Sequence, residues 1–334
     1  MGDDMTIYDI AQLAGVSATT VSRVINEKPG VKPETKRKVQ KLLDEYQFQL
    51  NENARGLSTS VTKLIGIMVA DIRNAHYTEV AYVIETYLLR REYCSIIVNA
   101  GSDPEQMEYS IQILNQRKVD GVIIIGSIFQ NDYVKHAIEQ YLSDVPVVFA
   151  NGYLDLPNVY GALVDEFQGT RDCVDLLFSR GYRHVAFVGK LHTVSNRLKA
   201  GGYESAMIEK GSEVIKVELK ETTLAECSFE PMDELMSSHP EVDAVIFSND
   251  FLAGEATHYF RQKNIKVPDQ MGIMGINNDK FCQISYPRIT SLDNKMPELG
   301  LLVTETLLGV LQGQKKVKKV MLFSEIVERE SVRR

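Results

Sequence analysis

The sequence predicts an α/β protein with an N-terminal helix-turn-helix head and a two-lobed core of parallel sheets. Three observations carry this. Apolar residues in the first sixty positions recur at helical spacing, interrupted by glycine and proline where helices end and begin. From about residue 64 onward, Val/Ile-rich runs alternate with helical stretches in two successive series. Charge divides along the same boundary. Residues 18–41 hold seven basic side chains (Arg23, Lys28, Lys32, Lys36, Arg37, Lys38, Lys41) against Glu27 and Glu34, a balance of +5, although the whole chain of 334 residues is −8.

In the head, Thr6 is placed to cap a first helix with Ile7, Ile10, Ala11 and Ala14 on its inner stripe. Gly15 supplies the left-handed residue that ends it, and Ser17 caps the next helix. That second helix buries Val21, Val24 and Ile25 and leaves Ala18, Thr19, Ser22 and Arg23 on its other side. Pro33 suits the first turn of a third helix with Val39, Leu42, Leu43 and Tyr46 inside. Two short helices about a glycine turn, closed by a third, form a unit whose second helix enters a DNA major groove. Hydroxyls at 19 and 22 can meet base edges or phosphates, Ala18 a thymine methyl, and Arg23 a guanine or a phosphate.

In the body, the first series has strands near 64–69, 95–98, 119–125 and 145–149, with helices near 78–92, 104–117 and 132–142. The second has strands near 184–188, 214–219, 244–247 and 271–276, with helices near 167–180, 196–210, 230–238 and 251–264. A strand near 290–292, a helix over 298–311 and an extended segment over 317–327 complete the chain. In such folds ligands bind beyond the carboxyl ends of the strands. Polar groups gather there: Asp71 and Asn74 through Tyr77, Asn151, Asn249 with Asp250, and Asn277. Planar amides and carboxylates pair with vicinal hydroxyls, and Tyr77 or Phe167 can stack on an apolar sugar face.

Several classes are excluded. The four cysteines lie 54 or more residues apart, which argues for reduced thiols and against a disulfide framework or zinc ribbon. The sequence predicts no metal and no cofactor. No dinucleotide, P-loop, nucleophile-elbow or HExxH motif is present, so no enzyme is expected. No leader peptide and no membrane span are apparent, so a cytoplasmic location without membrane contact is expected.

The stretch Thr6 to Val39, above all AGVSATTVSRVIN from Ala14 to Asn26, resembles the DNA-binding head of the LacI/GalR family of bacterial regulators. The remainder resembles that family's periplasmic-binding-protein-like core. The resemblance implies a head over 1–49, a hinge helix and linker over 50–63, and an effector-binding and dimerisation core over 64–334. It implies a homodimer on double-stranded operator DNA, most simply repressing a carbohydrate or related catabolic operon. The implied DNA-binding set is Thr6, Ser17, Ala18, Thr19, Thr20, Ser22, Arg23 and Asn26, with Ala54, Arg55 and Leu57 from the hinge. Leu57 would wedge into a minor-groove step. The lack of a terminal heptad after the last strand speaks against a coiled-coil tetramer.

The implied effector set is Asp71, Asn74, His76, Tyr77, Asn151, Phe167, Arg197, Lys199, Asn249, Asp250 and Asn277. The family's effector-binding arginine is Lys199 here, with Arg197 two residues earlier, and its later aspartate is Asn277. Lysine is a point charge and asparagine a weaker acceptor. A sugar, a sugar phosphate or a sugar acid all remain possible effectors. Two alternatives stand beside this reading. One is a catabolite-control-type regulator with a phosphorylated carrier protein as corepressor, disfavoured because Pro297-Glu298 replaces the Tyr-Asp such a partner needs. The other is a sugar-binding protein without a DNA role, which leaves the head unexplained.

Overall fold

The computed structural model describes residues 5–25, 27–46, 61–220, 226 and 229–334. The chain divides into two compact units, Met1–Thr62 and Lys63–Arg334.

The first unit holds α1 (Ile7–Ala14), α2 (Ala18–Ile25) and α3 (Pro33–Glu45). Thr6 and Asp9 form a capping box on α1, and Gly15 closes that helix at φ 67°. The Ser17 hydroxyl accepts from the Thr20 N–H at 3.2 Å and so caps α2. Ile10, Ala14, Val21, Val24, Val39 and Leu43 make the core. Two expectations are corrected. Tyr46 is 44% exposed because α3 ends at Glu45, one residue short of bringing it inward. Ala18, at the first turn of α2, packs partly against the core.

The second unit has two six-stranded sheets. The first lobe contains β1 (Leu64–Val69), β2 (Cys94–Asn99), β3 (Gly121–Ile125), β4 (Val147–Ala150), β5 (Val159–Val164) and β11 (Lys319–Leu322), ordered β11-β5-β4-β3-β1-β2 and parallel throughout. Its helices α4 (Ala75–Leu89) and α12 (Met296–Leu311) cover one face, and α5 (Pro104–Gln116) and α6 (Asp132–Tyr141) the other. The second lobe contains β6 (Val185–Gly189), β7 (Ile215–Glu218), β8 (Ala244–Phe247), β9 (Gly272–Ile276), β10 (Thr290–Asp293) and β12 (Glu325–Val327). Their order is β12-β10-β9-β8-β6-β7, and only β12 runs antiparallel. Here α7 (Glu166–Ser179) and α8 (Val194–Glu209) cover one face. The other is covered by α9 (Glu230–Ser238), α10 (Asp250–Gln262) and α11 (Lys280–Ile284). Strands β3, β6, β8 and β9 are buried along their whole length, as parallel strands covered on both faces must be.

Two features differ from the sequence expectation. Strand β5 went unpredicted. The tail also divides between the lobes: α12 and β11 return to the first and β12 rejoins the second. The chain therefore crosses between lobes three times, at Asp165, at Asn294–Lys295 and at Phe323–Ser324.

Candidate functional site

In the first unit all seven basic side chains of residues 18–41 are exposed, and among the described residues none forms a salt bridge. Lys38, although on α3, reaches the α1–α2 turn: its Nζ lies 4.0 Å from where a Cβ on Gly15 would sit. The Arg23 guanidinium lies beside Gly30, 3.7 Å from the corresponding point. Thr19 is exposed, while Ser22 is half-buried. Ser17 and Thr20 share a hydroxyl–hydroxyl bond of 3.0 Å, and the Thr6 hydroxyl donates to Asp9 at 2.5 Å. That bond holds the Asp9 carboxyl below its usual range. Thr6 and Ser17 are thus occupied in starting helices, with Thr20 bonded to the Ser17 cap. Asn26, Ala54, Arg55 and Leu57 lie outside the described residues.

In the second unit a buried polar chain runs across the three interlobe crossings. Ser324 Oγ donates to Asn294 Oδ1 at 3.1 Å, and Asn294 Nδ2 donates to Glu166 Oε1 at 3.1 Å. Glu166 pairs with Lys199 at 3.3 Å, with side chains 1% and 6% exposed. Lys199 Nζ also donates to the Ser248 carbonyl at 3.1 Å, and Asn294 Nδ2 to Asn277 Oδ1 at 3.1 Å. Glu166 opens α7, where the helix dipole favours a carboxylate. Glu166 Oε2 is buried without a protein partner among the described residues, and so is His76 Nδ1.

His76 and Tyr77 face this chain from α4 of the first lobe. Burial holds the His76 imidazole at about 4; the Lys199 ammonium adds to the depression and Glu166 opposes it. The ring is therefore neutral near pH 7 and can donate or accept. Burial likewise pushes the Tyr77 hydroxyl up to about 12, helped by Asp71 and Glu166. The Tyr77 ring closes over Gly126, where a Cβ would come within 2.8 Å of it. A direct bond joins the lobes nearby, from the Ser195 N–H at the start of α8 to Ser127 Oγ at 3.0 Å. Adjoining is a cavity of about 790 Å³ lined by Ser102, Pro104 and Ile128 of the first lobe and by Lys190, His192 and Lys220 of the second.

The expected effector residues thus divide. His76, Tyr77, Lys199 and Asn277 gather about Glu166. Asp71 is tied to Arg73 by a bidentate pair, which lowers its carboxyl pKa. Asn74 and Asn249 cap α4 and α10, accepting from the N–H of His76 and of Leu252. Asn151 sits at φ 57° and accepts from the Val164 N–H, a turn role. Arg197 donates to the His192 carbonyl at 2.9 Å beside the cavity. Phe167, 37% exposed, lies against Gly201 of α8.

Asp250 lies deeper than a cleft residue is expected to. It has no exposed surface; its Oδ1 accepts from Ser291 Oγ at 2.5 Å and its Oδ2 from the Asp279 N–H at 2.8 Å. A Cβ on Gly275 would meet this carboxylate at 2.0 Å. Asp250 therefore ties the β9–α11 loop and β10 to the start of α10 inside the second lobe. Glu166, Asn294 and Ser324 escaped sequence reasoning. The capping Asp165 immediately after VYGALV was the available signal for Glu166.

Residues 6–51 match the model of bacterial regulatory proteins of the lacI family, and residues 174–332 match a periplasmic binding protein-like domain. The HTH-type transcriptional regulator RegA of Clostridium saccharobutylicum is 30% identical, with 98% of each chain covered. An HTH-type transcriptional regulator of Lachnoclostridium phytofermentans is 29% identical, covering 98% of this chain and 99% of that one. Among solved structures, the lac repressor dimer bound to operator and the anti-inducer ONPF has a TM-score of 0.87 at 22% identity, covering 99% of this chain and all of that one. With its helix-turn-helix head, its two parallel-sheet lobes and full-length likeness to HTH-type regulators, the chain belongs to the lacI family of bacterial transcriptional regulators.

Proposed function

We propose that the protein binds operator DNA as a homodimer, represses a carbohydrate or related catabolic operon, and responds to a small metabolite held between its lobes. The head over 1–49 reads DNA, residues 50–63 form the hinge, and 64–334 sense and dimerise. The observation that carries this reading is the head: a helix-turn-helix with seven exposed cations, none of them in a salt bridge among the described residues. Thr19, Ser22 and Arg23 on α2 reach base edges. Lys36, Arg37 and Lys38 hold phosphates. Ala54, Arg55 and Leu57 complete the contact from the hinge, with Leu57 as the minor-groove wedge. The protein works in the cytoplasm, and as a regulator rather than an enzyme.

An apolar surface supports the dimer. Ile284 and Tyr286 are 76% and 87% exposed, beside an exposed Phe251. Lys280 of α11 pairs with Glu79 of α4 at 3.4 Å, so this patch continues towards the exposed Tyr82 of the first lobe. A second copy covering both lobes hides these side chains.

The test is selection of random duplex DNA with the full chain, followed by binding at several salt concentrations. A near-palindromic site should emerge, and its affinity should fall by about 10³- to 10⁴-fold between 50 and 200 mM salt if six to eight phosphates are neutralised. Leu57→Ala should weaken it further without altering thermal unfolding. No enrichment, or a flat salt response, overturns the reading.

A further inference from the structure

The interlobe cavity carries more information than its position. Its second-lobe wall presents Lys190, His192 and Lys220, and Arg197 lies alongside, bonded to the His192 carbonyl. Among the described residues one carboxylate, Glu218, shares the wall. Lys190, Lys220 and the neighbouring Arg197 against Glu218 give an excess of two positive charges among the described residues. Neither Lys190 nor Lys220 forms a salt bridge among the described residues. His192 registers the resulting field. Burial lowers its pKa, and Lys190 and then Arg197 lower it further, against a smaller opposing effect of Glu218.

A neutral sugar has no use for such a wall. Its hydroxyls are met by planar amides and carboxylates; the cavity offers only Glu218 and Asn131 among the described residues, the latter engaged in capping α6, and the larger set lies in the Glu166–Asn294–Asn277 cluster. Lysine is a point charge, suited to a compact anion such as a phosphate or carboxylate. The volume of about 790 Å³ admits a whole sugar-sized metabolite together with that group.

We infer that the metabolite held between the lobes is an anion, whose phosphate or carboxylate seats between Lys190 and Lys220. This rests on the reading that a metabolite binds between the lobes.

The test uses the full chain and matched probes at constant ionic strength: glucose, glucose 6-phosphate and gluconate; ribose, ribose 5-phosphate and ribonate. Calorimetry and dye-detected melting read binding. Expected is binding of an anionic member with its neutral counterpart at least ten-fold weaker; whether phosphate or carboxylate wins identifies the group. Lys190→Gln with Lys220→Gln, melting as wild type when unliganded, should weaken that probe about ten-fold or more. Asn294→Ala should weaken anionic and neutral members alike. A neutral sugar binding as tightly as its anionic partner, lost in Asn294→Ala but untouched by the lysine pair, overturns the anion and keeps the interlobe site. Binding indifferent to both sets of variants overturns the site as well. Absence of any anion-specific binding across the matched set overturns the inference.

Discussion

The Glu166–Lys199 pair makes a quantitative prediction about how α7 and α8 of the second lobe are held together. Both side chains are buried, 3.3 Å apart, each with one further partner: the Asn294 amide for Glu166 and the Ser248 carbonyl for Lys199. Lys199→Met leaves a buried carboxylate with a single amide donor. Glu166→Gln leaves a buried ammonium with a main-chain carbonyl and a side-chain amide. Breaking one side of such a pair costs about 3–5 kcal/mol, whereas removing both charges is often neutral. Each single variant should therefore lose about 3–5 kcal/mol. The double variant should fall within about 1 kcal/mol of wild type, a coupling of several kcal/mol. Urea unfolding followed by far-UV circular dichroism measures all four corners of the cycle on the full chain, which has no tryptophan for fluorescence. Single losses below about 1 kcal/mol that simply add would refute the reasoning, because they would mean that water already reaches the pair.

Three further outcomes follow from other contacts. The His76 imidazole, held at about 4, stays neutral in the folded chain while the unfolded chain protonates near 6.5. The unfolded state then binds more protons between these values. Stability from this residue is complete above pH 6.5 and is lost as pH falls towards 4, by ~3 kcal/mol in all. His76→Gln should flatten the stability–pH slope in that window, and an unchanged slope would count against it. Gly202→Ala would place a Cβ 2.1 Å from the Phe167 carbonyl oxygen, forcing α7 from α8; a loss of about 1–3 kcal/mol in chemical unfolding is expected. Tyr203→Phe removes the hydroxyl that accepts from the Ile215 N–H at 2.9 Å and bonds the Val185 and Ile215 carbonyls; a loss of about 1–3 kcal/mol is expected, and wild-type stability would show that β6 and β7 satisfy those groups otherwise.

The head was the most legible part. Its caps, its glycine turn and its basic stripe are local, and local chemistry decides them: Thr6, Gly15, Ser17 and Pro33 each act on atoms within a few residues. Ala18 and Tyr46 were misread where a helix end shifts a side chain by part of a turn. In the body, strands buried on both faces stood out as Val/Ile runs, whereas β5 was obscured because VYGALV carries a glycine and a half-buried tyrosine. Of the expected effector residues, the Asn and Asp at strand ends carry structural bonds that the sequence does not reveal. Capping a helix, turning a chain and meeting a ligand all use the same short polar side chain. Asn249 and Asp250 are adjacent, yet one caps α10 and the other is sunk beneath Gly275.

The sequence by itself determined the order of elements, the helix-turn-helix, the two parallel-sheet lobes and the separation of a basic head from an acidic body. These follow from periodicity, caps and charge, which act over a few residues. Only the tertiary structure decided that α12 and β11 belong to the first lobe while β12 returns to the second, since an amphipathic helix fits either sheet equally well by its own pattern. That choice adds two crossings to the one at Asp165 and brings Glu166, Asn294 and Ser324 together from positions up to 158 residues apart in sequence. A polar chain assembled from such distant residues has no spacing to read, because its members meet only after both lobes have formed.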